Sequence, residues 1–311
     1  MDIFEKKDIK PMLIGQSGEA FNSPDYFYEL KLDGIRCIAY LDKTGTELRN
    51  KRNLRVTPIY PELIDIFKQA KKRCILDGEV IVAIDGIPNF EEIQRRALMS
   101  NKFKIKLTSS KNPVSFVAYD ILYLGDKEIT NLPLIERKRF LEDNICENKR
   151  LSVSRFIEEK GIELYSLTVQ ENLEGIVAKR KDSKYYFDKR TKDWIKIKNL
   201  QDDDFIVCGY ILKGKGLVSI VLGQYDMKDN LIYKGHVTMG IVKEDFNTIK
   251  NTKTIDYPDF NPPKGNESAI WIEPNLVCKV AFMSKNEKGG LRQPVFRGLR
   301  NDKLSYECKV R

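Results

Sequence analysis

The sequence predicts an α+β chain in two parts. A domain of mixed strands and helices over 1–200 is followed by a β-barrel over 201–311, for which the OB-fold is the leading candidate. Three observations carry this. Short β-branched runs alternate with amphipathic helical stretches through the first 200 residues. After Leu200 the polar, acidic run 201–204 punctuates the chain, and strand-like runs take over with one helix among them. Finally, 311 residues exceed one ordinary domain and suit two, and a hydrophobic fraction of 41% supplies their cores and excludes wholesale disorder.

In chain order, strands are expected at 36–41, 79–84, 114–122, 175–179 and 193–198. Helices are expected at 61–73, where Leu63, Ile66, Phe67 and Ala70 share one face, at 89–98 and at 134–145. The second part offers strands at 205–212, 217–225 and 231–240, a helical piece at 244–251 and a Pro/Asn-rich loop at 256–265. Strands are expected again at 276–282 and 304–310. There is no internal repeat and no low-complexity tract.

Charge and cysteine usage narrow the function classes. Lys and Arg number 54 against 45 Asp and Glu, a formal charge of +9, which points weakly to a polyanion such as nucleic acid. Cys37, Cys74, Cys146, Cys208, Cys278 and Cys308 lie far apart without a C-x-x-C pair, and His236 is the one histidine, which argues against structural zinc. The thiols read as reduced, mostly buried small hydrophobes. The start has no continuous apolar region, and nothing approaches the roughly 20 apolar residues of a membrane span. The expectation is a cytoplasmic protein.

The segment Glu29-Leu30-Lys31-Leu32-Asp33-Gly34-Ile35-Arg36 follows an aromatic run and precedes a clear strand. A free lysine amine has a pKa of roughly 10.4 and must lose its proton to act as a nucleophile, which burial and nearby cations promote. Arg36, Lys179, Lys196 and Lys198 are the cations available. By itself K-x-D-G-x-R is a weak signal, since Asp-Gly is also an ordinary turn. Its companions, in order, are Leu76-Asp77-Gly78-Glu79, Phe116-Val117-Ala118-Tyr119-Asp120, Glu174-Gly175-Ile176-Val177-Ala178-Lys179 and Trp194-Ile195-Lys196-Ile197-Lys198, and then the C-terminal run from Arg292 to Lys303.

Together these segments resemble the nucleotidyltransferases of the ATP-dependent DNA ligase group. They are most similar to the ligase module of bacterial non-homologous end-joining ligases, from about Pro11 to Lys303, with all six family motifs in order. The resemblance implies a nucleotidyltransferase domain of ATP-grasp-like antiparallel sheets with helices, then an OB-fold. It implies Lys31 as the nucleophile that takes AMP from ATP, and Glu29 as acceptor for the adenine amino group. Arg36 and Glu79 would hold the ribose and its phosphate neighbourhood, with Lys179 also in the nucleotide site. Tyr119 stands where the family stacks an aromatic ring on adenine. Arg49 matches the arginine of an S-R-N-G segment whose serine and glycine are here Leu48 and Lys51. Glu174, with Glu79, would bind Mg2+ or Mn2+.

Lys196 and Lys198 alternate with Ile195 and Ile197, so a strand turns both ammonium groups to one face, suited to an α-phosphate. Arg292, Arg297, Arg300, Asp302 and Lys303 would orient the departing pyrophosphate as the second domain closes, with Gly289-Gly290 lending local freedom. The implied activity is sealing of 5′-phosphate/3′-hydroxyl nicks in double-stranded DNA through a lysyl-AMP intermediate. The implied setting is end joining, by a monomer working at the bacterial nucleoid with a Ku-like end-binding partner. An RNA ligase, an RNA-capping guanylyltransferase and a non-catalytic nucleic-acid-binding module are the alternatives.

Overall fold

The computed structural model describes residues 2–84, 87–214, 216–286 and 289–310. The chain divides into two compact units, Met1–Asn199 and Leu200–Arg311.

In the first unit a one-turn helix α1 (Ile3–Lys6) leads into β1 (Leu13–Ser17), β2 (Tyr26–Leu30), β3 (Ile35–Asp42), β4 (Gly45–Asn50) and β5 (Cys74–Ile81). The two-residue strands β6 (Ala83–Ile84) and β7 (Ile87–Pro88) precede α2 (Phe90–Ala97) and α3 (Lys102–Lys111). Then come β8 (Ser115–Leu124), β9 (Lys127–Glu128), α4 (Leu134–Asn144), β10 (Leu151–Val153) and β11 (Phe156–Glu158). Last are α5 (Gly161–Gln170), β12 (Gly175–Arg180) and β13 (Arg190–Lys198).

Apart from the short β6-β7 pair, the strands make two sheets, β1-β13-β12-β2-β11 and β10-β8-β5-β3-β4 with β9 beside β8. Neither is purely antiparallel as expected: β1 runs parallel to β13, and β10 parallel to β8. β1 and β13 come from opposite ends of the unit's sequence, and β8 reaches β10 through the α4 crossover, the kind of connection a parallel pair requires. Side-chain alternation gives each sheet one face toward a shared core. Phe27, Val177 and Trp194 of the first sheet bury with Ile38, Tyr40, Ile75 and Leu122 of the second. The opposite face of the first sheet packs Ile176, Ala178, Ile195 and Ile197 against Leu164 and Tyr165 of α5. Each fully buried aliphatic side chain of this kind contributes about 1.5–3 kcal/mol relative to exposure.

Of the expected helices, 89–98 forms as α2, capped by Asn89, whose side chain accepts from the Glu92 N–H, and 134–145 forms as α4. The stretch 61–73 is instead broken into 3-10 turns, Pro61–Leu63 and Ile66–Gln69. Pro61 has no N–H to give, and the Phe67 N–H goes to the Thr46 hydroxyl instead of to a carbonyl one turn back.

The second unit holds β14 (Gln201–Lys213), β15 (Leu217–Tyr225), β16 (Leu231–Val237), α6 (Lys243–Lys250), β17 (Thr254–Ile255) and β18 (Ile270–Ile272). It continues with β19 (Val277–Phe282), β20 (Ser284–Lys285), β21 (Leu291–Arg292) and β22 (Val295–Arg300). β14 is the spine: it pairs β15 on one side, and β19 and then β18 on the other, while β22 lies on β19. The expected barrel does not close through continuous ladders among the described residues. A single bridge, Met239 to Val295, spans β16 and β22, because Gly240 at φ 86° turns the chain out of the sheet and into α6. Phe205, Leu222, Ile249, Val280 and Phe296 share the enclosed core.

Two sequence expectations fail here. The acidic run 201–204 is the first part of β14 and not a linker, its carboxylates answered by cations: Lys279 pairs Asp202 and Lys285 pairs Asp203. The strand expected at 304–310 is a 3-10 turn, Ser305–Glu307, stopped by the Glu307 carboxylate accepting the Leu304 N–H.

Candidate active site

Register places most of the motif residues on one sheet face. Glu29 lies opposite Val177, Val177 opposite Lys196, Lys179 opposite Phe27 and Trp194, and Gly175 opposite Lys198. Directly opposed residues share a face, so Glu29, Lys179, Lys196 and Lys198 stand together with Phe27, Val177 and Trp194, on the side where the shared core lies. Lys31 follows β2 and its N–H still donates to the Gly175 carbonyl at 2.9 Å, which extends the ladder to the lysine.

The glycines of the two flanking motifs permit this. A Cβ on Gly34 would sit 2.4 Å from the Val80 carbonyl oxygen, and one on Gly175, at φ 126°, 2.1 Å from that of Ile197.

The Lys31 ammonium pairs with Glu174 at 2.6 Å, the carboxylate 5% and the lysine 21% exposed. The partner the structure gives it is thus an anion, whereas the motif analysis looked to cations around it.

On the second sheet Arg36 and Glu79 are cross-strand neighbours on β3 and β5. Arg36 grips Asp77 with two hydrogen bonds, 3.0 and 2.6 Å, and the Tyr185 hydroxyl donates to the same carboxylate at 2.7 Å while accepting the Met12 N–H. Burial pushes the Glu79 carboxyl up to about 8; Arg36 and Lys31 oppose this, and Asp77 and Glu174 add to it. A divalent cation would relieve this crowding of carboxylates, so the donor set of Glu79 and Glu174 fits Mg2+. No group of three His, Cys, Asp or Glu that could hold a metal occurs among the described residues.

Tyr119 lies under two cations, with the Lys179 Nζ 4.3 Å and the Arg36 guanidinium 5.7 Å from its ring centre. Trp194 meets its edge and takes Lys179 at 4.3 Å as well. Glu29 is almost wholly buried, with Lys138 at 2.6 Å and Lys179 at 3.0 Å on the same oxygen. Burial opposes its ionisation, but Lys138 and Lys179 outweigh that and hold the carboxyl below its ordinary value. Burial also presses Lys179 down to about 8, with Lys138 adding to the push and Glu29 resisting it.

Arg49 is not drawn into this network. It binds Glu47 at 2.6 Å and the Asn53 carbonyl at 3.0 Å. In the second unit Arg300 and Lys303 both reach Asp204, at 2.9 and 2.8 Å, and Arg300 also binds Asp302. Arg297 is exposed on β22, and the Gly290 N–H donates to the Asn286 side-chain oxygen at 2.7 Å.

The sequence reading missed Asp77 and Tyr185 as holders of Arg36. It missed Arg137, which binds Asp120 twice behind Tyr119, and Lys138. A signal existed: 134, 137, 138, 141 and 144 form the buried stripe of α4, and two of those five are cations.

Known proteins resemble this chain over nearly its whole length. The family model described as ATP dependent DNA ligase domain matches residues 11–198, and that described as ATP dependent DNA ligase C terminal region matches 213–303. The SPbeta prophage-derived DNA ligase-like protein LigB of Bacillus subtilis is 30% identical over 300 residues, covering 94% of this chain and 99% of that protein. The multifunctional non-homologous end joining DNA repair protein LigD of Mycobacterium tuberculosis is 26% identical over 318 residues. That match takes in 98% of this chain but 40% of LigD, so the chain spans about two fifths of that relative. Among solved structures, mycobacterial DNA ligase D complexed with ATP and MES superposes with a TM-score of 0.57 at 26% identity, covering 98% of this chain and 99% of the other. A Lig E DNA ligase, at 18% identity and TM-score 0.63, shares the fold.

Proposed function

We propose, on the premise that the chain belongs to the ATP-dependent DNA ligase family, that this ligase works through Lys31. The protein is an enzyme that uses ATP to join DNA strands. The observation that carries the assignment of Lys31 is its place at the end of β2, paired with Glu174, on the sheet that also presents Glu29, Lys179, Lys196 and Lys198.

In the first step the Lys31 amine, having lost a proton, attacks the α-phosphorus of ATP. A P–N bond forms, the bond to the β-phosphate oxygen breaks, and pyrophosphate leaves. A DNA 5′-phosphate oxygen next attacks the same phosphorus and frees the lysine. A 3′-hydroxyl then attacks the 5′-phosphate, a phosphodiester forms and AMP departs. Positioning and charge stabilisation do the work in each step.

Tyr119 offers its ring to the adenine and Glu29 accepts the base's amino group. Arg36, fixed by Asp77, and Glu79 take the sugar and phosphate side, while Lys196 and Lys198 face the charge that builds on the α-phosphate. Glu174 and Glu79 would hold Mg2+, which would supply further neutralisation of phosphate charge. In the second unit Arg292, Arg297, Arg300, Asp302 and Lys303 act on the pyrophosphate. Arg49, engaged with Glu47 and Asn53, takes no part in the reading.

The substrate is a nicked duplex, in a cytoplasmic setting. The likeness to LigD supports a place in end joining with a Ku-like end-binding partner.

The test is direct. Protein mixed with labelled ATP and Mg2+ gains one adenylate, mapped by mass spectrometry to Lys31, and seals a nicked duplex. Lys31→Ala loses both while retaining its fold. Labelling by GTP in preference to ATP would favour a capping-type enzyme, and nick binding with neither labelling nor sealing would favour a binding module.

A further inference from the structure

Lys138 lies in none of the motif segments, yet it is buried on α4 with its ammonium 2.6 Å from Glu29 and 5.6 Å from the Phe156 ring centre. A lysine is almost never fully buried without a reason, because desolvating an ammonium costs several kcal/mol unless it is paired. The pair is also uneven: both Lys138 and Lys179 converge on Oε1 of Glu29. A carboxylate has about four acceptor positions over its two oxygens, so Oε2 keeps acceptor capacity for a further donor.

We propose that Lys138 is a positioning residue for nucleobase selection: it keeps the Glu29 carboxylate charged and oriented, so that the site accepts the amino group of adenine and rejects the carbonyl oxygen of guanine. The inference rests on the reading of Glu29 as the base acceptor and deepens it.

The groups facing Glu29 are Lys138 from α4, Lys179 from β12 and the Ser154 hydroxyl between β10 and β11. Those facing Lys179 are Glu29, Lys138 and Asp120, with the rings of Tyr119 and Trp194 on its apolar side. Burial leaves Lys179 at about 8, so its charge is lost just above neutral pH, and Lys138 is the second cation on the carboxylate. An ionised Glu29 can only accept hydrogen bonds. It therefore fits the adenine amino group and repels a carbonyl oxygen, and a site that excludes its competitor by an unpaired acceptor discriminates strongly. With Lys138 removed, Lys179 alone opposes burial, so Glu29 takes up a proton at a higher pH than in the wild type. A carboxylic acid both donates and accepts, so the penalty against guanine disappears.

The experiment compares covalent labelling of the full chain by ATP and by GTP across pH. In Lys138→Met, KM for ATP rises while the maximal labelling rate changes little. The ATP-over-GTP preference falls by roughly tenfold or more, and kcat/KM for ATP gains an acid-side ionisation absent from the wild type. Lys138→Arg restores the preference.

A folded Lys138→Met with the wild-type ATP/GTP ratio and pH profile overturns the proposal. If that variant does not fold, Lys138→Gln is read in the same assay with the same two outcomes. Glu29→Gln, which is uncharged at every pH, separates the two layers. If it leaves the ratio unchanged, the reading of Glu29 itself fails. If it lowers the ratio while Lys138→Met does not, the inference about Lys138 alone is wrong.

Discussion

At the scale of single residues, the site stands on buried charges that the motifs do not contain. Arg137 binds Asp120 with two hydrogen bonds, 2.9 and 2.8 Å, and gives both Nη1 donors to the carbonyls of Leu132 and Ser183, with both charged side chains fully buried. Arg137→Ala strands a carboxylate and two carbonyls, so we expect a loss of about 3–5 kcal/mol in urea unfolding. Asp120→Asn combined with Arg137→Met leaves no charge behind and should lose less than the single change; equal losses would mean that packing, and not charge, sets the cost. Lys179 gives a pH signature. Its amine is held at about 8 in the fold against a usual 10.5, so the unfolded chain binds the extra proton between those values. Stability therefore rises with pH through that window and is lost as pH falls through about 8, an increment that Lys179→Met should abolish in unfolding curves from pH 7 to 10.5. The motif residues could be proposed from the sequence because their types and spacings are those the chemistry requires. Arg137, Lys138 and Tyr185 could not, because only the packing of α4 and of the segment before β13 brings them to Glu29, Asp120 and Asp77.

Whole elements were legible wherever period and composition agreed. β15 falls on 217–225 as expected, and α2 starts at its Asn89 cap. They failed where a side chain diverts the backbone, as Thr46 does at Phe67, or where charge hides a strand, as in the first residues of β14. That hidden strand carries a consequence. Asp204 on β14 holds Arg300 at the end of β22 and Lys303 beyond it, and these two cations keep its carboxyl below the usual range although burial pulls the other way. Asp204 thus anchors the segment assigned to the pyrophosphate. In Asp204→Asn the charge-assisted contacts to Arg300 and Lys303 are lost, and the step they serve should slow by roughly tenfold or more. The loss should appear in labelling of Lys31 by ATP, while sealing of a nick that already carries a 5′-adenylate is spared. Equal slowing of both reactions would show that Asp204 serves the fold of the second unit as a whole.

For the whole molecule, the chain divides into two compact units near Leu200, where the sequence pattern changes, and each unit carries its own enclosed core. The parallel edge pairs were not readable, since β1 and β13 lie at opposite ends of the unit's sequence and, for β8 and β10 as well, pairing partners leave no local trace. The excess of nine positive charges was the least specific of the sequence signals, and it makes a measurable claim about the DNA-bound state. Phosphates neutralised by Lys and Arg release condensed counterions, so the logarithm of the affinity falls linearly with the logarithm of salt, by about 0.9 per phosphate contacted. Labelling of Lys31 by ATP involves one small anion in a partly dry site and escapes most of that dependence. Raising salt from about 50 to 200 mM should therefore weaken nick binding by roughly 10³-fold if about six phosphates are engaged, with covalent labelling by ATP little changed. Filter binding or anisotropy on a nicked duplex measures the first, and radiolabel transfer the second. A flat salt response of nick binding would place the DNA contacts on uncharged groups and leave the basic surplus as a solvated surface.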